Sequence, residues 1–383
     1  MSAAGTVPVS NGASDKQYVL INVLKAVAAQ LIVLHHLAFY GPMADHAWPL
    51  APDLFSWLAG DARIAVQVFL VIGGFLAAKS LSPHGLPGLD HPLRAIGRRY
   101  LKLAPPFIVA MLFAVLASYI AGAWMDHDSI SAPPSTLQFG AHMVLLHDVF
   151  GYEALSAGAW YVAIDFQLYA LMCVLLWVSG RLGRDRNWPW GVPALVGVGV
   201  IASLFVFNRD ADWDIWAPYF FASYGLGALA WWASDPRRQP VAIIALLLLM
   251  VAPTQLALAV DFRVRIAVAF AVACLLLLLG REKPALLTGP VSRLVQVLAK
   301  TSYSVFLVHF PVCLVVNAAF TRFALEVPHL QFIGVMIGWA ASLLAGAAFH
   351  RWVETPLGRL LTSHREANVD NFMTLRGQTQ QGS

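Results

Sequence analysis

Long apolar runs separated by short polar stretches dominate the chain. Runs of spanning or near-spanning length fall at about 18–40, 62–80, 103–124, 157–179, 191–208, 215–233, 240–257, 264–280, 301–320 and 331–352. The hydrocarbon core of a bilayer takes about 20 residues of helix. The pattern therefore predicts an all-α polytopic membrane protein with about ten transmembrane helices. The stretch 137–150, LQFGAHMVLLHDVF, is too short to span and is expected to lie in the interface or to re-enter. Polar segments at 1–17 and 357–383 are expected to flank a membrane domain at 18–356. The first residues are small and polar, without a signal peptide's basic start, so the first apolar run is expected to act as an uncleaved anchor.

Composition agrees: 59% of the 383 residues are hydrophobic and 12% charged, against about 45–50% and about 25% in ordinary soluble domains. Cys173, Cys274 and Cys313 sit in apolar runs with no C-x-x-C pair. They read as small buried residues, so neither a disulfide nor a metal site is expected. The net charge of +4 acquires meaning from its placement. With the N-terminus in the cytoplasm, Lys16 and the basic clusters near 94–102, 181–186, 237–238, 281–300 and 351–376 share one side. The other side receives Arg63, Arg209, Arg263, Arg265 and Arg322. This bias predicts an N-in/C-in topology in contact with membrane lipids, and nucleic-acid binding is not needed to explain it.

Ionisable residues inside such spans are costly and therefore informative. The first run, INVLKAVAAQLIVLHHLAFYG, carries Lys25, His35 and His36. Lys25 and His36 are eleven positions apart, which places them within about 20° of one helix face and about 16 Å apart along the axis. A polar line thus joins a cation at the cytoplasmic end to a histidine in the outer half. Snorkelling of Lys25 to headgroups is the plainer alternative. RRYLKLAPP supplies Arg98, Arg99 and Lys102, which suit either a polyanion or anionic lipid. In AWYVAIDFQLYALM, Asp165 lies in an apolar span near Trp160 and Tyr169, as a helix–helix anchor or as the partner of a histidine.

Taken together, these segments resemble the acyltransferase-3 family of integral-membrane acyltransferases from about residue 18 to Pro356. Lys25 and His36 fall on the family's basic residue and histidine of the first helix. FLVIGGF (69–75) resembles its F-F-V-L-S-G-F segment, and Arg99, Lys102 and Pro105 its R-x-x-R-x-x-P pattern. Trp160, Asp165, Gln167 and Tyr169 resemble W-x-x-x-x-E-x-Q-x-Y. SYSVFLVHFP, with His309, and VETP complete the order. The chain departs from the pattern at Asn22, Gln67, Gly73, Lys102 and Asp165; lysine at 102 gives a point charge where arginine gives a fork.

The resemblance implies transfer of an acyl group, often acetyl, from cytoplasmic acetyl-CoA or another acyl-CoA to a hydroxyl of a carbohydrate or small molecule. No permanently bound cofactor is implied. Lys25, Arg98, Arg99 and Lys102 would hold the donor's phosphates, and polar residues would line an intramembrane donor path. His36 would be the general base or a transient acyl carrier. Asp165 would stabilise the histidinium or fix its tautomer. Trp160, Tyr169 and His309 would shape the acceptor side or stabilise the oxyanion, and His35 is the rival base. The expected location is the bacterial cytoplasmic membrane. An envelope or exported polysaccharide is the favoured acceptor, with a macrolide-like small molecule as an alternative. A proton-coupled transporter is the rival from another class, although no inverted repeat is visible.

Overall fold

The computed structural model describes residues 19–183, 190–281 and 289–361. Lys16, Arg184, Arg186, Lys283, Arg365 and Arg376, used above for sidedness, lie outside the described residues, as do the N-terminal segment and most of the C-terminal one.

Every regular element among the described residues is helical. Helix α1 (Val19–Phe39) is followed by two short helices, α2 (Pro42–Ala47) and α3 (Pro52–Gly60), each with proline in its first turn. A 3-10 turn at Ala62–Ala65 leads into α4 (Val66–Leu81), and α5 (Pro92–Gly122) is a long helix with Pro105 and Pro106 inside it. The stretch expected not to span contains α6 (Thr136–Met143), whose N-terminus is capped by Ser135 Oγ accepting from the Gln138 amide at 3.1 Å. Then follow α7 (Ala159–Leu182), α8 (Gly191–Phe205), α9 (Ala217–Ala233), α10 (Pro240–Val260), α11 (Val264–Leu279), α12 (Gly289–Phe323) and α13 (Pro328–Phe349). A π turn at His350–Glu354 carries the last helix on to Leu361.

Helices occupy all ten apolar runs, and among the described residues eight helical segments are long and apolar enough to cross a membrane, α4 and α8 reaching that length through adjoining 3-10 turns as Ala62–Leu81 and Gly191–Arg209. The two that fall short are α9, with 17 residues, and α11, with 16. Apart from Pro218, every residue of α9 is buried, as expected of a helix that is apolar all round and packed at the centre of a bundle. Two helices start well before the apolar run that announced them: α5 at Pro92 rather than about 103, and α12 at Gly289 rather than about 301. Arg and Lys are good helix formers, so these basic segments extend the spans instead of flanking them. Arg98, Arg99 and Lys102 are consequently fixed on one rigid rod.

Helix α9 lies against α4 at backbone contact. A Cβ on Gly74 would stand 1.7 Å from the Tyr224 carbonyl oxygen, and one on Gly227 would stand 2.0 Å from that of Val71. Only glycine allows this approach, which is the structural reason for the second glycine of FLVIGGF. Beyond α1, Gly41 turns the chain at φ 108°. Asn317 of α12 clasps that turn, donating to the Tyr40 carbonyl at 3.1 Å and accepting from the Met43 amide at 3.3 Å. The end of α1 that carries His36 is thereby pinned to α12.

Candidate active site

The two histidines of α1 diverge. His35 donates from Nδ1 to the Leu58 carbonyl at 2.9 Å and anchors α3. His36 turns toward α12, where its Nδ1 lies 2.5 Å from Nε2 of His309 with the rings nearly parallel. The other ring nitrogen of His309, Nδ1, faces the carbonyls of Val305 and Phe306 at 3.1 and 2.8 Å. Carbonyl oxygens only accept, so His309 Nδ1 carries the hydrogen and its Nε2 a lone pair. That lone pair accepts from His36 Nδ1–H. The lone pair of His36 is therefore left on Nε2, which makes no hydrogen bond within the described residues. Two backbone carbonyls, acting through His309, set the tautomer of His36.

His36 lines a cavity of about 910 Å³. Its wall includes His35, Tyr40, Trp160, Phe306 and Phe310, and its rim carries Arg63, Asp126, Asp128 and Glu153. Carboxylates, hydroxyls and aromatic faces of this kind suit a polyhydroxylated ligand. Trp160 also borders a neighbouring cavity of about 780 Å³ that contains Gln67, Asp148, Arg263 and Arg265.

A separate cavity of about 280 Å³ gathers Lys25, Arg99, Lys102 and Lys300 with Asp165 and Glu354. Arg98 is exposed and does not line it. Arg99 Nη2 donates to Asp165 Oδ2 at 2.5 Å, and the guanidinium lies over the Tyr169 ring, 5.2 Å from its centroid. Arg99 Nε is buried without a partner, which leaves one free donor on a side chain that lines the cavity. Glu354 accepts from Ser304 Oγ at 2.5 Å and from His350 Nδ1 at 2.9 Å, tying the end of α13 to α12.

The residues named from the sequence thus divide between the two cavities. Asp165 does not partner His36: its carboxylate is engaged by Arg99, and the neighbour of His36 Nδ1 is His309. Tyr169 sits under Arg99 rather than on the histidine side, where Trp160 remains. Gln167 bridges to α9, donating to the Ile215 carbonyl at 3.3 Å and accepting from the Ala217 amide at 3.0 Å. Lys300 and Phe306 had not been singled out. Lys300 carries a signal, as a cation two positions before the SY motif, but the apolar run that marks its helix begins after it.

A helical membrane bundle with an intramembrane histidine pair and a cation-lined cavity defines the class. The family described as "Acyltransferase domain" (acyltransferase-3) matches residues 18–349, and the chain belongs to it. A curated relative, "Regulator of hypoxia-inducible factor 1" of Caenorhabditis elegans, is 27% identical over 170 residues, which is 41% of this chain. That match spans 34% of the relative, about a third of its length. No solved structure matches the chain.

Proposed function

We propose that the protein transfers an acyl group, acetyl in the first instance, from cytoplasmic acyl-CoA to a hydroxyl of a cell-envelope or exported polysaccharide, in the bacterial cytoplasmic membrane. The observation that carries this reading is the fixed tautomer of His36, whose unpaired Nε2 belongs to a ring lining a cavity large enough for a sugar unit. The cation-lined cavity supports the donor half. Phosphates of the nucleotide would pair with Lys25, Lys102 and Lys300, and the slender pantetheine arm would run beside α1 toward His36.

In this mechanism His36 Nε2 accepts the proton of the acceptor hydroxyl as that oxygen attacks the thioester carbonyl. The resulting imidazolium keeps its Nδ1–H on His309, which holds the ring in place. Collapse of the tetrahedral intermediate breaks the C–S bond, and His36 returns the proton to the departing thiolate. The Arg99–Asp165 pair positions one wall of the donor cavity.

Calorimetric titration of the purified protein with acetyl-CoA tests the donor assignment. Wild type binds, and Lys102→Glu and Lys300→Glu each weaken binding about tenfold or more, as expected when a phosphate-pairing cation is reversed. Absence of binding by wild type contradicts the reading.

A further inference from the structure

The cation-lined cavity and the His36 cavity share one lining residue, Phe306. Its ring centroid lies 5.0 Å from that of Tyr161, 6.5 Å from Phe69 and 5.8 Å from His309. Of these two cavities, Phe69 and Tyr161 line the cationic one alone, and Ile32 and Phe310 the histidine one alone. Phe306 thus stands at the boundary between the two chambers, with Tyr161 and Phe69 against it on one side. The fit beside it is close: a Cβ on Gly158, just before α7, would stand 3.0 Å from Cε1 and 3.3 Å from Cζ of the Phe306 ring.

We infer that Phe306 is a positioning residue that partitions the donor path from the acceptor chamber and must swing aside for the acyl group to reach His36. The inference rests on the acyltransferase reading above. Its physical basis is that a thioester held beside an activated histidine is open to any hydroxyl, water included. In the wasteful reaction His36 takes a proton from water, the water oxygen attacks the carbonyl, and the C–S bond breaks. The thiolate recovers the proton, releasing free carboxylic acid and CoA. A closed aromatic boundary keeps the acyl group among the cations until it displaces the ring, and so keeps it away from water in the larger chamber. The ring rotates about two side-chain torsions and is held by apolar edge contacts, not by hydrogen bonds, so displacement breaks no polar interaction.

The partition is tested in sealed vesicles of known orientation, with Cys173, Cys274 and Cys313 replaced. Leu76→Cys, on the wall of the cationic cavity, is challenged with a small charged thiol reagent from the face that carries Asp126 and Glu153. With Phe306 in place, labelling is slow; with Phe306→Ala it is at least tenfold faster. Equal rates overturn the partition whether or not the acyltransferase reading holds. The same vesicles then receive radiolabelled acetyl-CoA. Phe306→Ala raises the ratio of free acetate to acetylated carbohydrate tenfold or more. Phe306→Trp lowers both products while acetyl-CoA binding stays within about twofold of wild type. An unchanged product ratio in Phe306→Ala overturns the proposed role. If wild type neither binds nor consumes acetyl-CoA, the acyltransferase reading fails, and the labelling result alone decides the partition.

Discussion

His36 Nδ1 lies 2.5 Å from His309 Nε2, joining α1 to α12 across 273 positions of sequence. Since His309 Nδ1 is committed to two backbone carbonyls, the direction of the hydrogen bond between the rings is fixed. In the proposed mechanism, loss of His36 removes the base, and loss of His309 removes only its orientation. His36→Ala is expected to lower the transfer rate by about 10²–10⁴. His309→Ala is expected to lower it by about 10², the scale of a misplaced catalytic group. Turnover with matched membrane content checks both, and a larger loss in His309→Ala than in His36→Ala contradicts the assignment.

The Arg99–Asp165 pair yields a stability prediction. Removing one partner strands a charge in a mostly buried setting, which costs about 3–5 kcal/mol, whereas replacing both with apolar residues of similar volume is often neutral. Arg99→Met alone is expected to lower the unfolding temperature in detergent markedly, and Arg99→Met with Asp165→Leu to recover most of it while still losing acetyl-CoA affinity. A double variant as unstable as the single one argues against the pair as the origin of the loss.

Adjacent glycines on α4 are expected to behave differently. A Cβ at Gly74 meets the Tyr224 backbone at 1.7 Å, whereas one at Gly73 meets the Tyr224 ring at 3.1 Å and Asp165 Oδ1 at 3.5 Å. Gly74→Ala forces α9 away from α4 and is expected to cost at least about 3 kcal/mol, the upper end for overpacking. Gly73→Ser needs only a slight shift of the ring. Size-exclusion profiles and melting curves separate the two, and equal tolerance contradicts the backbone contact.

Apolar runs were enough to locate every long helix among the described residues, and the stripe joining Lys25 to His36 singled out α1, which lines both cavities. Pairings between helices were not legible. Asp165 is 66 positions from Arg99 and lies on an apolar span where a histidine partner was equally reasonable. The early starts of α5 and α12 were hidden because hydropathy reports the greasy portion of a helix and is blind to a basic extension of it. That extension carries Lys300 into the cation-lined cavity. Phe306 was invisible for the opposite reason: one more aromatic residue in an apolar run carries no pattern.

Outside the spans, His147 is fully buried and stacked on His142 at 4.0 Å, with neither ring nitrogen hydrogen-bonded. Asp148 Oδ2 is 3.4 Å from Nε2 without the alignment of a hydrogen bond. Burial, with His142 adding to it, pushes His147 down to about 3 from 6.5. A depressed histidine contributes stability that is present above 6.5 and is lost as the pH falls toward 3. Asp148, raised by burial and by Asp214 to about 6 from 3.8, runs oppositely: its contribution is present below 3.8 and is lost as the pH rises toward 6. His147→Phe keeps the stack and removes the orphaned nitrogens, so it is expected to stabilise the protein by about 1–3 kcal/mol. It should also remove the His147 share of the acid-side loss, leaving that of His142, which burial likewise shifts down. Melting curves from pH 4 to 8 check this, and a variant that is less stable at pH 7 contradicts it.

In the proposed mechanism His36 moves the acceptor's proton during transfer from acyl-CoA, and transfer of radiolabelled acetyl groups reads this step out. Membranes containing wild type or His36→Ala at matched expression receive labelled acetyl-CoA, and the extractable carbohydrate is counted. Label is expected in the wild-type carbohydrate and background in the variant, with acetyl-CoA binding retained by both. Equal labelling by the two proteins would remove His36 from the chemistry and contradict its assignment as the base.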